Sequence, residues 1–77
     1  TVIPFRLRRP GLTRLVLLDI LGQRVRSLVN ADLPAGDHSI AWDGRDDSGS
    51  ALGTGVYLAR LTVGTDVILF DKIMLVR

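Results

Sequence analysis

Apolar residues in this 77-residue chain recur at every second position in short runs, and that period narrows the possible folds more than any other feature. A strand turns successive side chains to opposite faces, so apolar and polar residues in alternation mark a strand with one buried face. In Val2 to Arg8, the residues Ile3, Phe5 and Leu7 share one face, while Val2, Pro4, Arg6 and Arg8 share the other. Pro4 has no N–H for a ladder, which predicts an edge strand, and Pro10-Gly11 predicts a turn. From Thr13 to Asp19, Leu15 and Leu17 lie on one face with Val16 and Leu18 behind them. Apolar residues on both faces predict a central strand or a covered outer face. A short strand is expected from Arg24 to Val29, ended by the polar stretch Asn30 to Asp32, and Leu33-Pro34-Ala35-Gly36-Asp37 reads as a turn.

His38, Ile40 and Trp42 then alternate with Ser39, Ala41 and Asp43, which makes Trp42 the expected centre of the core and places His38 on the same face beside it. Asp43 to Gly55 is so rich in Gly and Asp that only turns and loop fit, with Leu52 as its one plug into the core. Val56 to Val63 and Val67 to Val76 are the last two strands, joined by a short loop at Gly64-Thr65-Asp66. The final strand is apolar on both faces and leaves two registers open: Ile73 and Leu75 point inward, or Met74 and Val76 do. Leu15 to Leu28 has scattered helical spacing, but Gly22 and the β-branched content oppose a helix. Strands of this length and spacing predict an all-β fold, a small antiparallel β-sandwich of about seven strands that occupies residues 1–77 as a single domain.

A chain of this size buries only about 60% of the surface that its unfolded form exposes, so most apolar residues must share one core. With 47% hydrophobic and 23% charged residues, the composition is that of a folded chain. There is no cysteine, hence no disulfide framework or thiolate metal site. No apolar run approaches the ~20 residues of a membrane-spanning helix. The chain begins at Thr1 without a signal-peptide pattern and is expected to be part of a longer protein. Residues 1–26 hold six arginines against Asp19 alone, and residues 30–50 hold five aspartates against Arg45. The arginines fit either the solvated faces of alternating strands or a polyanion site. The few aromatic residues fall in apolar alternation, which reads as core and disfavours nucleic acid.

His38 has neither a cysteine nor a second histidine to share a metal with, and no nucleophile motif surrounds it. Adjacent Asp46 and Asp47 on a Gly-rich turn are poorly fixed for acid-base work. No enzyme activity and no cofactor are expected. Asp43, Asp46 and Asp47 have the spacing of part of a calcium loop, but the chain has no Glu to complete an EF-hand. Asp and Gly are also what tight turns need, so both readings stand, with the turn preferred.

Several strings, taken in order, resemble a known family. They are Asp19-Ile20-Leu21-Gly22-Gln23-Arg24-Val25-Arg26-Ser27-Leu28, Leu33-Pro34-Ala35-Gly36, Trp42-Asp43-Gly44-Arg45-Asp46-Asp47-Ser48-Gly49, Gly55-Val56-Tyr57 and Lys72-Ile73-Met74-Leu75-Val76-Arg77. Together they resemble the type A C-terminal sorting domain of type IX secretion cargo, and they are similar to the related Ig-like domain of flagellar hook-capping proteins. The resemblance implies an Ig-like sandwich at the end of an exported bacterial protein. It also implies recognition by the outer-membrane secretion machinery, followed by a cell-surface sortase, with passage through the periplasm to the cell surface or medium. The positions that match the family's recognition elements are Gly55 and Tyr57, and Lys72, Ile73, Met74, Leu75, Val76 and Arg77. The Asn-Pro-Phe-Asn-Pro lead-in common in the family is absent, and Leu18 stands where an aromatic residue is frequent.

Two functions are therefore expected from different classes. One is a sorting domain that offers strand edges and alternate side chains to export machinery. The other is a structural module that packs against the upstream domain of its parent protein or a neighbouring subunit. Val16, Leu18 and one face of Val67 to Val76 are expected to be an exposed apolar contact surface in either case.

Overall fold

A computed structural model describes residues 1–77. The elements are β1 (Val2–Leu7), β2 (Gly11–Leu18), β3 (Arg24–Leu33), β4 (Gly36–Ala41), β5 (Gly55–Val63) and β6 (Asp66–Leu75). They form a small antiparallel sandwich of two sheets, one of β1 and β4 and one ordered β3-β2-β5-β6. The chain has six strands where about seven were expected. Between β4 and β5 the stretch rich in Gly and Asp makes only an isolated bridge, Arg45 to Ala51, so no seventh strand forms there.

The alternation of β1 is realised in full: Ile3, Phe5 and Leu7 are buried and their neighbours are exposed. Pro4 stands opposite Ser39, in a two-stranded sheet where both strands are edges. Leu15 and Leu17 of β2 are wholly enclosed, as are Ala59 and Leu61 of β5, which lie directly opposite them. Ile73, Leu75 and Trp42 complete the cluster. Burial of Ile73 and Leu75 with exposure of Met74 and Val76 selects the first of the two registers for the last strand. Thr13, the one fully enclosed polar side chain, donates its hydroxyl to the Gly11 carbonyl at 3.1 Å and so keeps a partner without water.

Two local expectations are corrected. β3 does not stop at Val29, because Asn30, Ala31, Asp32 and Leu33 pair with Arg14, Thr13, Leu12 and Gly11. Asn30, Ala31 and Asp32 are exposed and Leu33 packs on the core, so main-chain pairing continues through a polar stretch. Two register shifts in this ladder admit Val25 and Leu28 as extra residues, and both still pack on the core. His38 does not sit beside Trp42. It lies across from Phe5, with ring centroids 5.3 Å apart, and its Nε2 is 2.7 Å from the Pro34 carbonyl. Positions i and i+4 on a strand share a face but are about 13 Å apart, so the cross-strand neighbour decides the contact.

β3 and β4 belong to different sheets, so the Leu33-Pro34-Ala35-Gly36 string is a corner that carries the chain across the sandwich. The Asp19 string is a hairpin tip between β2 and β3. Asp19 Oδ1 accepts the N–H groups of Leu21 and Gln23 at 2.9 and 3.0 Å, and Gly22 takes φ of 81° to close the turn.

Candidate functional site

Three features bear on function: the loop between β4 and β5, the Gly55-Val56-Tyr57 element, and the face of the larger sheet that points away from the core. The loop is fixed by side chains that reach into it from distant parts of the chain. Trp42 donates its indole N–H to the Arg45 carbonyl at 3.0 Å. From β3, Arg26 Nη1 donates to the carbonyls of Arg45 and Asp46 at 3.1 and 3.2 Å and lies 3.4 Å from Asp43 Oδ1. From the other side Arg77 donates to the carbonyls of Leu52 and Gly44, and its backbone N–H donates to Thr54 Oγ1 at 3.0 Å. Asp47 pairs with β3 through its N–H to the Val25 carbonyl and through Oδ1 from the Ser27 N–H, both at 2.9 Å. The loop thus covers part of the free edge of β3, a common protection for an edge strand.

The calcium candidates Asp43, Asp46 and Asp47 all accept protein donors. Asp43 Oδ1 takes the Arg45 N–H at 3.0 Å. Asp46 Oδ1 takes the Ser48 hydroxyl at 2.7 Å and the N–H groups of Ser48 and Ser50 at 3.0 and 2.9 Å. The Ser48 hydroxyl first, then the Ser50 N–H and the other backbone donors, hold the Asp46 carboxyl below the usual range against the opposing effect of desolvation. Asp47 Oδ2 lies 3.7 Å from Arg24. No three carboxylate or imidazole groups converge as a metal site requires.

Tyr57 is half-buried. Its ring meets Trp42 edge to face with centroids 5.4 Å apart, and its hydroxyl donates to the Gly53 carbonyl at 2.7 Å. A tyrosine near the start of a strand that bonds to the backbone four residues upstream is the tyrosine corner of Ig-like sandwiches. Gly55 lies opposite Leu75 and Tyr57 opposite Ile73, so the two candidate elements, Gly55 with Tyr57 and Lys72 to Arg77, are neighbours on β5 and β6. Within the second element, Ile73 and Leu75 are core, Lys72, Met74 and Val76 are exposed, and Arg77 is the loop clamp.

The larger sheet has no layer on its outer face. Register places Leu12, Arg14, Val16 and Leu18 of β2 there, with Leu58, Arg60 and Thr62 of β5 and Phe70, Lys72 and Met74 of β6. The expectation that Val16 and Leu18 are exposed is corrected: they retain only 9% and 6% of their surface, because a central strand is shielded by its neighbours' side chains even on a bare face. The exposed apolar surface lies on β6, where Ile68, Phe70 and Met74 are at least half open. The expectation that the aromatic residues are core is corrected for Phe70, which is 56% exposed, and Arg60 carried no signal of its own in the sequence. Once Ala59 and Leu61 are placed inward, period two puts Arg60 on the opposite face, and the ladder sets Phe70 beside it. A separate shallow cleft of about 550 Å³ lies between Arg6, Arg8 and Arg9 on one side and Asp66, Val67 and Ile68 on the other.

The family described as the FlgD Ig-like domain matches residues 11–66. The chain belongs to the FlgD Ig-like domain family. This match extends from the start of β2 to the start of β6 and takes in the tyrosine corner and the clamped loop. It bears out the Ig-like relation to flagellar hook-capping proteins and identifies a structural, non-catalytic fold. Lys72 to Arg77 lie beyond the matched residues of the FlgD Ig-like domain. No curated protein matches the chain.

Proposed function

We propose that this Ig-like module works by contact, as the sorting domain of an exported protein that presents the outward face of β6 to the outer-membrane secretion machinery. The observation that carries the reading is the outward row of β6. Phe70 and Met74 expose 56 and 59% of their surface on either side of Lys72, on an edge strand that pairs only with β5. Exposed apolar side chains grouped on one strand mark an interaction surface rather than a folding requirement. The ordered resemblance to type IX cargo supports the choice of partner, and the sortase and cell-surface destination follow from that resemblance.

The test is a reporter fused between a signal peptide and this domain, expressed in a bacterium with a type IX system. The reporter is expected at the cell surface, with Lys72→Gln and Met74→Ser reducing its arrival while the melting temperature holds. A reporter retained in the periplasm by the unchanged domain overturns the sorting reading.

A second reading is favoured by the family match itself: a structural Ig-like module that packs on its parent protein or a neighbouring subunit, as the hook-capping relation suggests. In that case the same face of β6 is buried in the full-length protein, and Phe70 is protected from solvent there.

A further inference from the structure

The bare face of the larger sheet combines an apolar centre with cations that nothing neutralises. Its open apolar surface is Phe70 and Met74 on β6 with partly buried Leu58 of β5 next to them, over Val16 and Leu18 of β2, which are themselves shielded. Arg60 stands between Val16 and Phe70 in the ladder, Lys72 lies opposite Leu58, and Arg14 lies opposite Thr62. The ion pairs of the protein use Arg6, Arg24 and Arg26, and none uses Arg14, Arg60 or Lys72. The carboxylate whose register falls on this face is Asp32, opposite Leu12 at the far edge on β3.

We propose that this face docks a partner protein through an amphipathic segment whose apolar stripe is flanked by carboxylates. The proposal rests on the contact-module reading and names the chemistry of its partner. Charge decides against a second copy: a two-fold pairing of this face with itself sets unpaired cations against one another over the same apolar centre. A polyanion without apolar surface leaves Phe70 and Met74 in water. Addition of a strand at the β6 edge is opposed by Asp71, whose register places a charge on the inward side, and by the register shift next to Leu61. Both are devices that keep an edge from pairing. A sheet with an apolar outer face is commonly covered by a helix layer, and a helix with acidic flanks satisfies both the apolar centre and the cations.

The probes are two helical peptides that share one leucine stripe, flanked by Glu in the first and by Lys in the second. Each is titrated into the isotope-labelled 77-residue chain while its amide resonances are followed. The Glu peptide is expected to shift amides of β2, β5 and β6, to weaken with added salt, and to bind about tenfold less tightly to the double variant Arg60→Gln, Lys72→Gln. Phe70→Ser with Met74→Ser is expected to abolish binding, with the circular dichroism melt showing that the variant folds. If that variant is unfolded, the charge variant and the Lys peptide decide alone.

Equal binding of the Lys peptide, shifts confined to Arg6 to Arg9, or a dimer in sedimentation that Phe70→Ser dissolves would each overturn the proposal. The reporter assay separates it from the sorting reading. Peptide binding without any effect of the Phe70 and Met74 changes on export keeps the surface and removes sorting through it. Export that depends on those residues, without binding of the Glu peptide, does the reverse.

Discussion

The Trp42 indole N–H donates to the Arg45 carbonyl at 3.0 Å, so the bulkiest side chain of the core also fixes the first turn of the loop that follows it. Packing and loop geometry are thus joined in one residue. Trp42→Ala is expected to cost about 3–5 kcal/mol in urea unfolding. Trp42→Phe keeps most of the apolar contact and leaves the carbonyl without its indole donor, at a cost of about 1–2 kcal/mol. An unchanged midpoint for Trp42→Ala would place the side chain outside the core.

Gly44 has φ of 77°, and a methyl group there would lie 2.6 Å from Arg77 Nη2 and 3.2 Å from Leu75 Cδ1. Gly49 has φ of 88° with open space around it. Gly49→Ala should therefore cost only the left-handed backbone penalty, about 1–2 kcal/mol. Gly44→Ala should cost more, and the excess should shrink when Arg77→Gln is already present, which a double-mutant cycle on denaturation midpoints measures. Equal costs at the two glycines would show that the Arg77 clamp does not form in solution.

Tyr57→Phe removes the hydroxyl that reaches the Gly53 carbonyl and leaves the contact with Trp42. A loss of about 1 kcal/mol is expected by urea denaturation. If the Gly55-Val56-Tyr57 element acts through the fold, a reporter carrying Tyr57→Phe should still reach the surface at temperatures where the domain stays folded. Loss of export at full stability would give the hydroxyl a direct recognition role.

Asp46 is held below the ordinary carboxylate range by the Ser48 hydroxyl and the backbone donors of its turn. Its stabilising contribution is present above the unfolded value near 3.9 and is lost as pH falls through the lower folded value. Melting curves of the unchanged chain and Asp46→Ala should therefore differ most near neutral pH and converge below about pH 4. A gap that stays constant down to strongly acidic pH would show that the turn does not depend on the ionised form.

Calcium and EDTA are both expected to leave the melting temperature unchanged, because Asp43, Asp46 and Asp47 already accept backbone N–H groups. A calcium-dependent rise abolished by Asp46→Asn would show that the carboxylates rearrange around the ion, and its size would report the affinity.

Period two was enough to place Ile3, Phe5, Leu7 and Trp42, because the opposite faces of their strands carry Arg6, Arg8, Ser39 and Asp43. It was not enough for Ile73 against Met74, where both faces are apolar and only the partner strand selects. Partners across strands were equally out of reach: Phe5 beside His38 depends on β1 joining β4, a choice of topology rather than of local pattern. The Gly and Asp stretch announced turns, but the arginines that clamp it come from β3 and from Arg77. In the sequence Arg26 was indistinguishable from the solvated arginines around it. The outward cations of the larger sheet became legible only with the register, since Arg14, Arg60 and Lys72 lie on three different strands.

β1 finds its only partner in β4, with Leu7 opposite Gly36 and Val2 opposite Ala41, and the whole β2–β3 hairpin lies between them in the chain. During synthesis Val2–Leu7 is made before the other five strands, yet Ile3, Phe5 and Leu7 stay without a companion strand until Ala41 has been added. The β2–β3 hairpin, by contrast, can zip from its own tip at Asp19 as soon as its second arm exists. Birth order and closure order are therefore set apart by the length of a hairpin, which slows folding relative to a chain of local contacts. A nascent chain halted before Gly36 carries an orphaned apolar strand, the kind of exposed edge on which other chains aggregate.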